Sequence, residues 1–241
     1  MRILMVLLLT LTATSLWAAQ LLTPEQEVRI TSLIRETLIA NPDILEQSIT
    51  AWQQKADAAQ GKRLNQFIAA NKKVLYEDSG SPRFGAEKPV LTIVLFTDYN
   101  CPFCKIFDPL LEKIVQEYPQ VAVVLKPLPF KGESSVTSAR VALTLWQQHP
   151  DQFMAFHQRL MAKKGFHDAS SIASAQEKTG VTPVESSEQS LNVLRSNLKL
   201  AEQLGVQGTP ATLIGDQMVP GAISYEQLEA IVKQQLALAE K

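Results

Sequence analysis

The sequence predicts an α/β protein in which one sheet is split by an inserted helical domain, preceded by an N-terminal helical stalk. Three observations carry this. "VLTIVLF" (residues 90–96) and "VAVVLKPL" (from Val121) are apolar, β-branched runs joined by a helical segment, the pattern of a parallel strand–helix–strand unit. Residues from about 133 to 204 then read as entirely helical, with Gly180 and Gly205 as helix stops, before strand character returns. Ahead of the first strand, two helical segments occupy residues 23–71.

The beginning of the chain reads as an export signal. Arg2 gives a short positive region, "ILMVLLLTL" (residues 3–11) an apolar one, and "SLWAAQ" small residues for cleavage near Ala18 or Ala19. The apolar run falls short of the roughly 20 residues that span a bilayer; an uncleaved anchor is the alternative. The expected division is a signal peptide over 1–18, a helical oligomerisation stalk over 19–72 and a catalytic domain over 73–241, its helical insertion at about 133–204. Across the whole chain 46% of residues are hydrophobic, enough for a real core. The formal net charge of −1 leaves no basic excess to argue for nucleic acid.

Thr23 is a plausible N-cap with Pro24 at the first helical position, and Val28, Ile30, Leu33, Ile34 and Leu38 form an apolar stripe. Asn41-Pro42 stops this helix, since the residue before proline avoids helical backbone. A second helix, to about Asn71, carries a thin seam of Leu45, Ile49, Trp52, Ala56 and Ala59 at alternating spacings of four and three. A core helix would show a wider apolar face. The seam therefore suggests a self-association stalk with bends near Asn41-Pro42 or Gly61; a surface helix packed on its own domain is the alternative. "VLYEDSGSPRFGAEKPV" reads as turns and short strands. Beyond the insertion, "TPATLIGDQMVPG" alternates strand and turn around Gly215-Asp216, and a last helix spans about Ser224 to Leu238.

The chemistry lies in "FTDYNCPFCKIF" (residues 96–107), which holds both cysteines of the chain. As a staple, a disulfide between Cys101 and Cys104 closes too short a loop to restrain much of the chain. Structural zinc needs four ligands and no other cysteine exists; His149, His157 and His167 lie in the helical block, His157 as a helix-surface or boundary residue. Cu(I) accepts two thiolates and stays open. A redox pair fits the context best. Cys101 sits where a buried strand ends and a helix begins, with Pro102 at the first helical position. Helix N–H groups and the helix dipole favour a thiolate there. Cys101 is then the exposed nucleophile and Cys104, one turn along and more buried, the resolving thiol. Phe103 adds no polar group, so the expected depression of the Cys101 pKa is real but not extreme.

Strand, C-x-x-C, helix, strand, then Thr-Pro before a hairpin and helix resembles the thioredoxin fold. The intervening helices, with "KGESSVTSARVALTLW" and "FMAFHQRLM", resemble those of DsbA-type thiol-disulfide oxidoreductases. The resemblance covers about residues 74–239. It implies that Pro210 is a cis-proline facing the cysteines and that the backbone of Thr209 pairs with an extended client strand. Thr209 stands where the prototype oxidase has valine, and Pro102-Phe103 departs from its Pro-His. Both departures, with the N-terminal helices, resemble the ScsC-type (suppressor of copper sensitivity) and Com1-like branches. That resemblance implies a periplasmic disulfide isomerase or reductase with no cofactor beyond its cysteine pair. Its implied partners are protein clients, a membrane thiol reductase as electron donor, and copies of itself, a trimer favoured over a dimer. A net oxidase and a Cu(I)-binding protein of copper tolerance remain the other readings.

Overall fold

The chain-entry geometry at Thr23 follows from its sequence. In the computed structural model, which describes residues 22–239, helix α1 (Pro24–Ala40) opens with a capping box: the Thr23 hydroxyl accepts the Gln26 N–H, and the Gln26 side chain accepts the Thr23 N–H. The expected signal peptide and its cleavage near Ala18 or Ala19 lie outside the described residues. Asn41 closes α1, and α2 (Asp43–Ala70) follows. Of the two expected places for a bend, the chain breaks at Asn41-Pro42, and α2 runs unbroken through Gly61. A single glycine costs a helix only about 1 kcal/mol against alanine, too little to break 28 residues of helix.

By its contacts the chain divides between Asp57 and Ala58 into two units. In the first, α1 buries no residue, and Val28 (72% exposed) and Trp52 (69%) stand open to solvent with Leu33, Ile34 and Ile49. The second begins earlier than the expected boundary at residue 72. The reason is packing: Leu64, Phe67 and Ile68 lie against a buried cluster that includes Leu75, Val94, Phe96 and Leu213. Within this unit come α3 (Lys72–Tyr76), β1 (Arg83–Gly85), β2 (Leu91–Thr97), α4 (Pro102–Glu117) and β3 (Val121–Pro127). The expected turn segment from Val74 thus begins inside a short helix. The insertion holds α5 (Glu133–Gln148), a 3-10 turn at Pro150–Gln152, α6 (Phe153–Ala162), α7 (Ala169–Thr179) and α8 (Glu188–Gln203), with non-helical links at 163–168 and 180–187. The hairpin β4 (Ala211–Ile214) and β5 (Gln217–Pro220) and helix α9 (Tyr225–Ala239) finish the unit. Gly215 makes the hairpin turn at φ 59°, and a Cβ there would collide with the Gln235 side chain.

The sheet order is β1-β3-β2-β4-β5, with β2 and β3 parallel and the other pairs antiparallel. Alternation along β2 sends Leu91, Ile93 and Leu95 to the side packed by α4 and the insertion, and Val94 and Phe96 to the side packed by α3 and the end of α2. Both faces are covered, which explains why β2 and β3 read as continuous apolar runs. One charged side chain breaks that run. Lys126 of β3 is fully buried, and its ammonium donates to the Val74 carbonyl (2.7 Å), Asp78 Oδ2 (2.9 Å) and Ser81 Oγ (2.8 Å). All three of its donors are used, so the buried charge ties the 74–81 segment to the sheet. No helix among the described residues is long and apolar enough to cross a membrane.

Candidate active site

β2, the middle strand, ends at Thr97, and α4 begins at Pro102, which leaves Cys101 as the helix N-cap in extended conformation. Its N–H donates to the Asp98 carbonyl (3.0 Å), and the Asp98 N–H donates to Cys104 Sγ (3.4 Å). Both cysteines are free thiols. Cys101 is 2% exposed and Cys104 1%, so the nucleophile is less open than expected. The loop before β4 covers it: Cys101 Sγ lies 3.1 Å from the Thr209 carbonyl oxygen, to which it donates when protonated, and the Thr209–Pro210 peptide is cis. The sulfur is reached through a pocket of about 560 Å³, whose lining includes Cys101, Phe103, Phe130, Lys131, Gln207 and Thr209. Sequence-distant groups around residues 101, 130 and 209 thus meet at one opening. A larger cavity of about 690 Å³ among Tyr76, Arg83, Leu91 and Gln235 holds no cysteine.

The two thiols are driven apart in acidity. Cys101 is lowered from 9.0 to about 5. The first cause is a hydrogen bond from the Cys104 thiol; burial opposes it, and the backbone N–H groups of Cys104 and Phe103 add to the lowering. The Thr209 hydroxyl, buried and otherwise unpartnered, also favours the thiolate. The depression is deeper than the helix end alone led us to expect, because a neighbouring thiol outranks it. Cys104 moves the opposite way, pushed up by burial and by the hydrogen bond it gives to Cys101. One sulfur is therefore a ready nucleophile and the other a protonated reserve. Among the described residues, no three metal-ligating side chains converge on one point.

Several supporting residues escaped sequence reasoning. Asp98, 2% exposed, accepts from the Asn100 N–H (2.8 Å), the Ser135 hydroxyl (2.7 Å) and the Lys131 N–H (3.0 Å). The Asn100 amide donates to the Ser134 and Ser135 hydroxyls and accepts the His167 N–H. Lys105 donates to the carbonyls of Lys163 (2.5 Å) and Gly165 (2.8 Å). The cysteine loop is thereby fastened to the insertion at three places. The polar run "TDYN" directly before Cys101 was the available signal, since buried polar residues at a strand end need such partners.

His157 is also corrected. It is fully buried, not a surface or boundary residue, held between the Tyr99 hydroxyl and Asp108 Oδ2, each at 3.0 Å. Both ring nitrogens find partners, which removes the cost of burial. Asp108 lies on α4 one turn after Cys104, so this cluster joins the redox helix to α6. We expect His157→Phe to destabilise the protein by about 1–3 kcal/mol, because it leaves the buried Asp108 and Tyr99 side chains without their hydrogen-bond partner. Urea unfolding at neutral pH measures this, and a loss below about 1 kcal/mol would show that the cluster carries no such weight.

Comparison with known proteins follows the same division of the chain. Residues 92–233 match the DSBA-like thioredoxin domain, and residues 26–59 the copper resistance protein ScsC N-terminal domain. Disulfide bond formation protein D of Bacillus subtilis is 23% identical over 173 residues, covering 65% of this chain and 78% of that protein. A periplasmic thioredoxin-like protein from Salmonella enterica serovar Typhimurium has a crystal structure with 58% sequence identity. The match covers 69% of this chain and 95% of that one, with a TM-score of 0.68. Proteus mirabilis ScsC in a compact conformation is 50% identical over 88% of this chain and 99% of that one, with a TM-score of 0.72.

Proposed function

This chain belongs to the DsbA-like thioredoxin family, within its ScsC group, and on that premise we propose that it isomerises and reduces disulfides of exported proteins. The family membership makes it a thiol-disulfide oxidoreductase acting on protein clients. The observation that carries the chemistry is the pairing of a low-pKa Cys101, which lines the pocket, with a protonated Cys104 buried behind it. The Cys101 thiolate attacks a client disulfide; a Cys101–client bond forms, the client S–S bond breaks, and the displaced sulfur leaves as a thiolate. Attack by a second client cysteine on the client sulfur of that mixed disulfide completes isomerisation and restores Cys101. Attack by Cys104 on Cys101 instead releases a reduced client and leaves the 101–104 disulfide, which needs an external dithiol to reset.

Isomerisation is favoured by Thr209 and by the N-terminal unit. Its uncovered apolar side chains, from Val28 to Trp52, suit contact with further copies of this chain, and the resemblance to the ScsC branch favours a trimer over a dimer. Several sites on one assembly raise the effective concentration of thiolate around a bound client. The break at Asn41-Pro42 is the one place in the two helices where such sites could move. The pair is its own cofactor, and a membrane thiol reductase is the donor we propose. The expected signal peptide and the relative described as periplasmic support a periplasmic setting. Trapping thiols in intact cells tests the direction of electron flow: an isomerase is recovered with Cys101 and Cys104 reduced, and a predominantly oxidised pair would favour a net oxidase.

A second reading, Cu(I) binding, is favoured by the adjacency of two soft thiols and by the match of residues 26–59 to a copper resistance protein's domain. Cys101 and Cys104 would be the ligands. Turnover of client disulfides in copper-free buffer separates this reading from the enzyme.

A further inference from the structure

We propose that the active-site pocket selects disulfides whose cysteine is flanked by acidic residues, with Lys131 as the specificity-determining side chain; this rests on the redox reading of Cys101. Lys131 is the one charged residue lining the pocket apart from the Cys101 thiolate itself. Its backbone is held in place, because its N–H donates to the buried Asp98 carboxylate. Among the described residues its ammonium takes part in no hydrogen bond or ion pair, and the residue is exposed. A client approaching the sulfur therefore meets an uncommitted cation at the pocket wall.

The surrounding charges reinforce this. Lys105 follows Cys104 directly, and its ammonium lies at the carbonyls of Lys163 and Gly165, which brings the 163–165 segment and its two lysines to the start of α4. Three acids oppose them. Asp98 is buried with its oxygens occupied by three donors. Glu133 opens α5 outside the pocket lining, and Asp168 caps α7. The chain as a whole has a net charge of −1, so a cationic surround at the cysteine is a local feature rather than a reflection of composition. Phe103 (61% exposed) and Phe130 (42%) supply apolar contact beside Lys131. The favoured client segment thus carries a carboxylate and an apolar residue next to its cysteine.

An anionic thiolate alone would prefer a cationic disulfide, which makes the test sharp. Reduced full-length protein is mixed with dithiodiglycolate (anionic), hydroxyethyl disulfide (neutral) or cystamine (cationic), and initial exchange rates are measured. In each case the thiolate attacks one sulfur, the S–S bond breaks and the other sulfur departs as a thiolate. The readout is the ratio of the anionic to the cationic rate within each variant, so a general change in reactivity cancels. The released thiols differ in acidity, which by itself favours cystamine, so each ratio is referred to its own value near 500 mM salt, where charge effects are screened; at about 20 mM salt we expect a referred ratio of roughly five. Lys131→Glu brings the referred low-salt ratio below one, and Lys131→Gln falls between. A wild-type referred ratio at or below one, or a referred ratio unchanged in Lys131→Glu, overturns the proposal. Absence of exchange with all three, the neutral disulfide included, instead overturns the redox reading on which it rests.

Discussion

Cys101→Ser abolishes disulfide exchange, whereas Cys104→Ser leaves the protein accumulating as mixed disulfides with its clients. The two outcomes differ because the two sulfurs do different work. Cys101 is the thiolate: with its pKa at about 5 it is almost fully ionised at neutral pH, whereas an unperturbed thiol is only about 1–3% ionised there. Serine cannot replace it, since a hydroxyl at the same place stays protonated. Cys104 is held protonated by burial and by its bond to Cys101. Its removal leaves the first attack possible and takes away the internal release. Non-reducing gels of client mixtures distinguish the two variants, and full exchange by Cys101→Ser would remove the proposed mechanism.

The same pair has a pH signature. Alkylation of Cys101 by a neutral reagent should follow a midpoint near pH 5, flat above it and falling about tenfold per unit below. The sign for stability follows from the direction of the shift. A thiol lowered on folding from 9.0 to about 5 stabilises the reduced form above pH 9 in full. That contribution is lost as pH falls through about 5. In Cys104→Ser the midpoint should move upward, because the first cause of the depression has been altered.

Removing residues 19–57 yields a monomer that keeps its redox chemistry and loses most of its isomerase activity, by roughly tenfold, as the effective concentration of neighbouring sites disappears. The cut belongs at Asp57 rather than at residue 72. Leu64, Phe67 and Ile68 cover Leu75, Val94 and Phe96, and a longer deletion would open that core and confuse lost assembly with lost folding. The first unit has no such tie to its own interior: α1 buries nothing, and its apolar side chains are exposed in the single chain. Sizing the mature protein and the deletion side by side reads the assembly directly.

What was legible in the sequence was local. The β-branched runs over Leu91–Thr97 and Val121–Pro127, the Thr23 cap and the Gly215 turn each state their structure within a few neighbours. Cys101 and Cys104 announced themselves by spacing, and the strand before and helix after them supplied a reason for a thiolate. The misread features depend on partners far along the chain. His157 looks amphipathic in "FMAFHQRLM", and only Tyr99 and Asp108, 58 and 49 residues away, make it a core residue. Asp98 and Asn100 acquire meaning through Ser134, Ser135 and His167. Gly61 carried a local signal for a bend, yet the helix around it is long enough to absorb one glycine. The end of α2 read as fading amphipathicity because its few apolar residues face one narrow strip of the sheet.

An acidic thiol in a client pocket becomes an isomerase, on this proposal, when several copies are joined through the N-terminal helices. Refolding of ribonuclease with scrambled disulfides, run in parallel with the full mature protein and the protein lacking residues 19–57, tests it most directly. The full protein should recover ribonuclease activity and the deletion roughly tenfold less, although both exchange with a small neutral disulfide at equal rates. Equal ribonuclease recovery by the two proteins, or none by either, would contradict it.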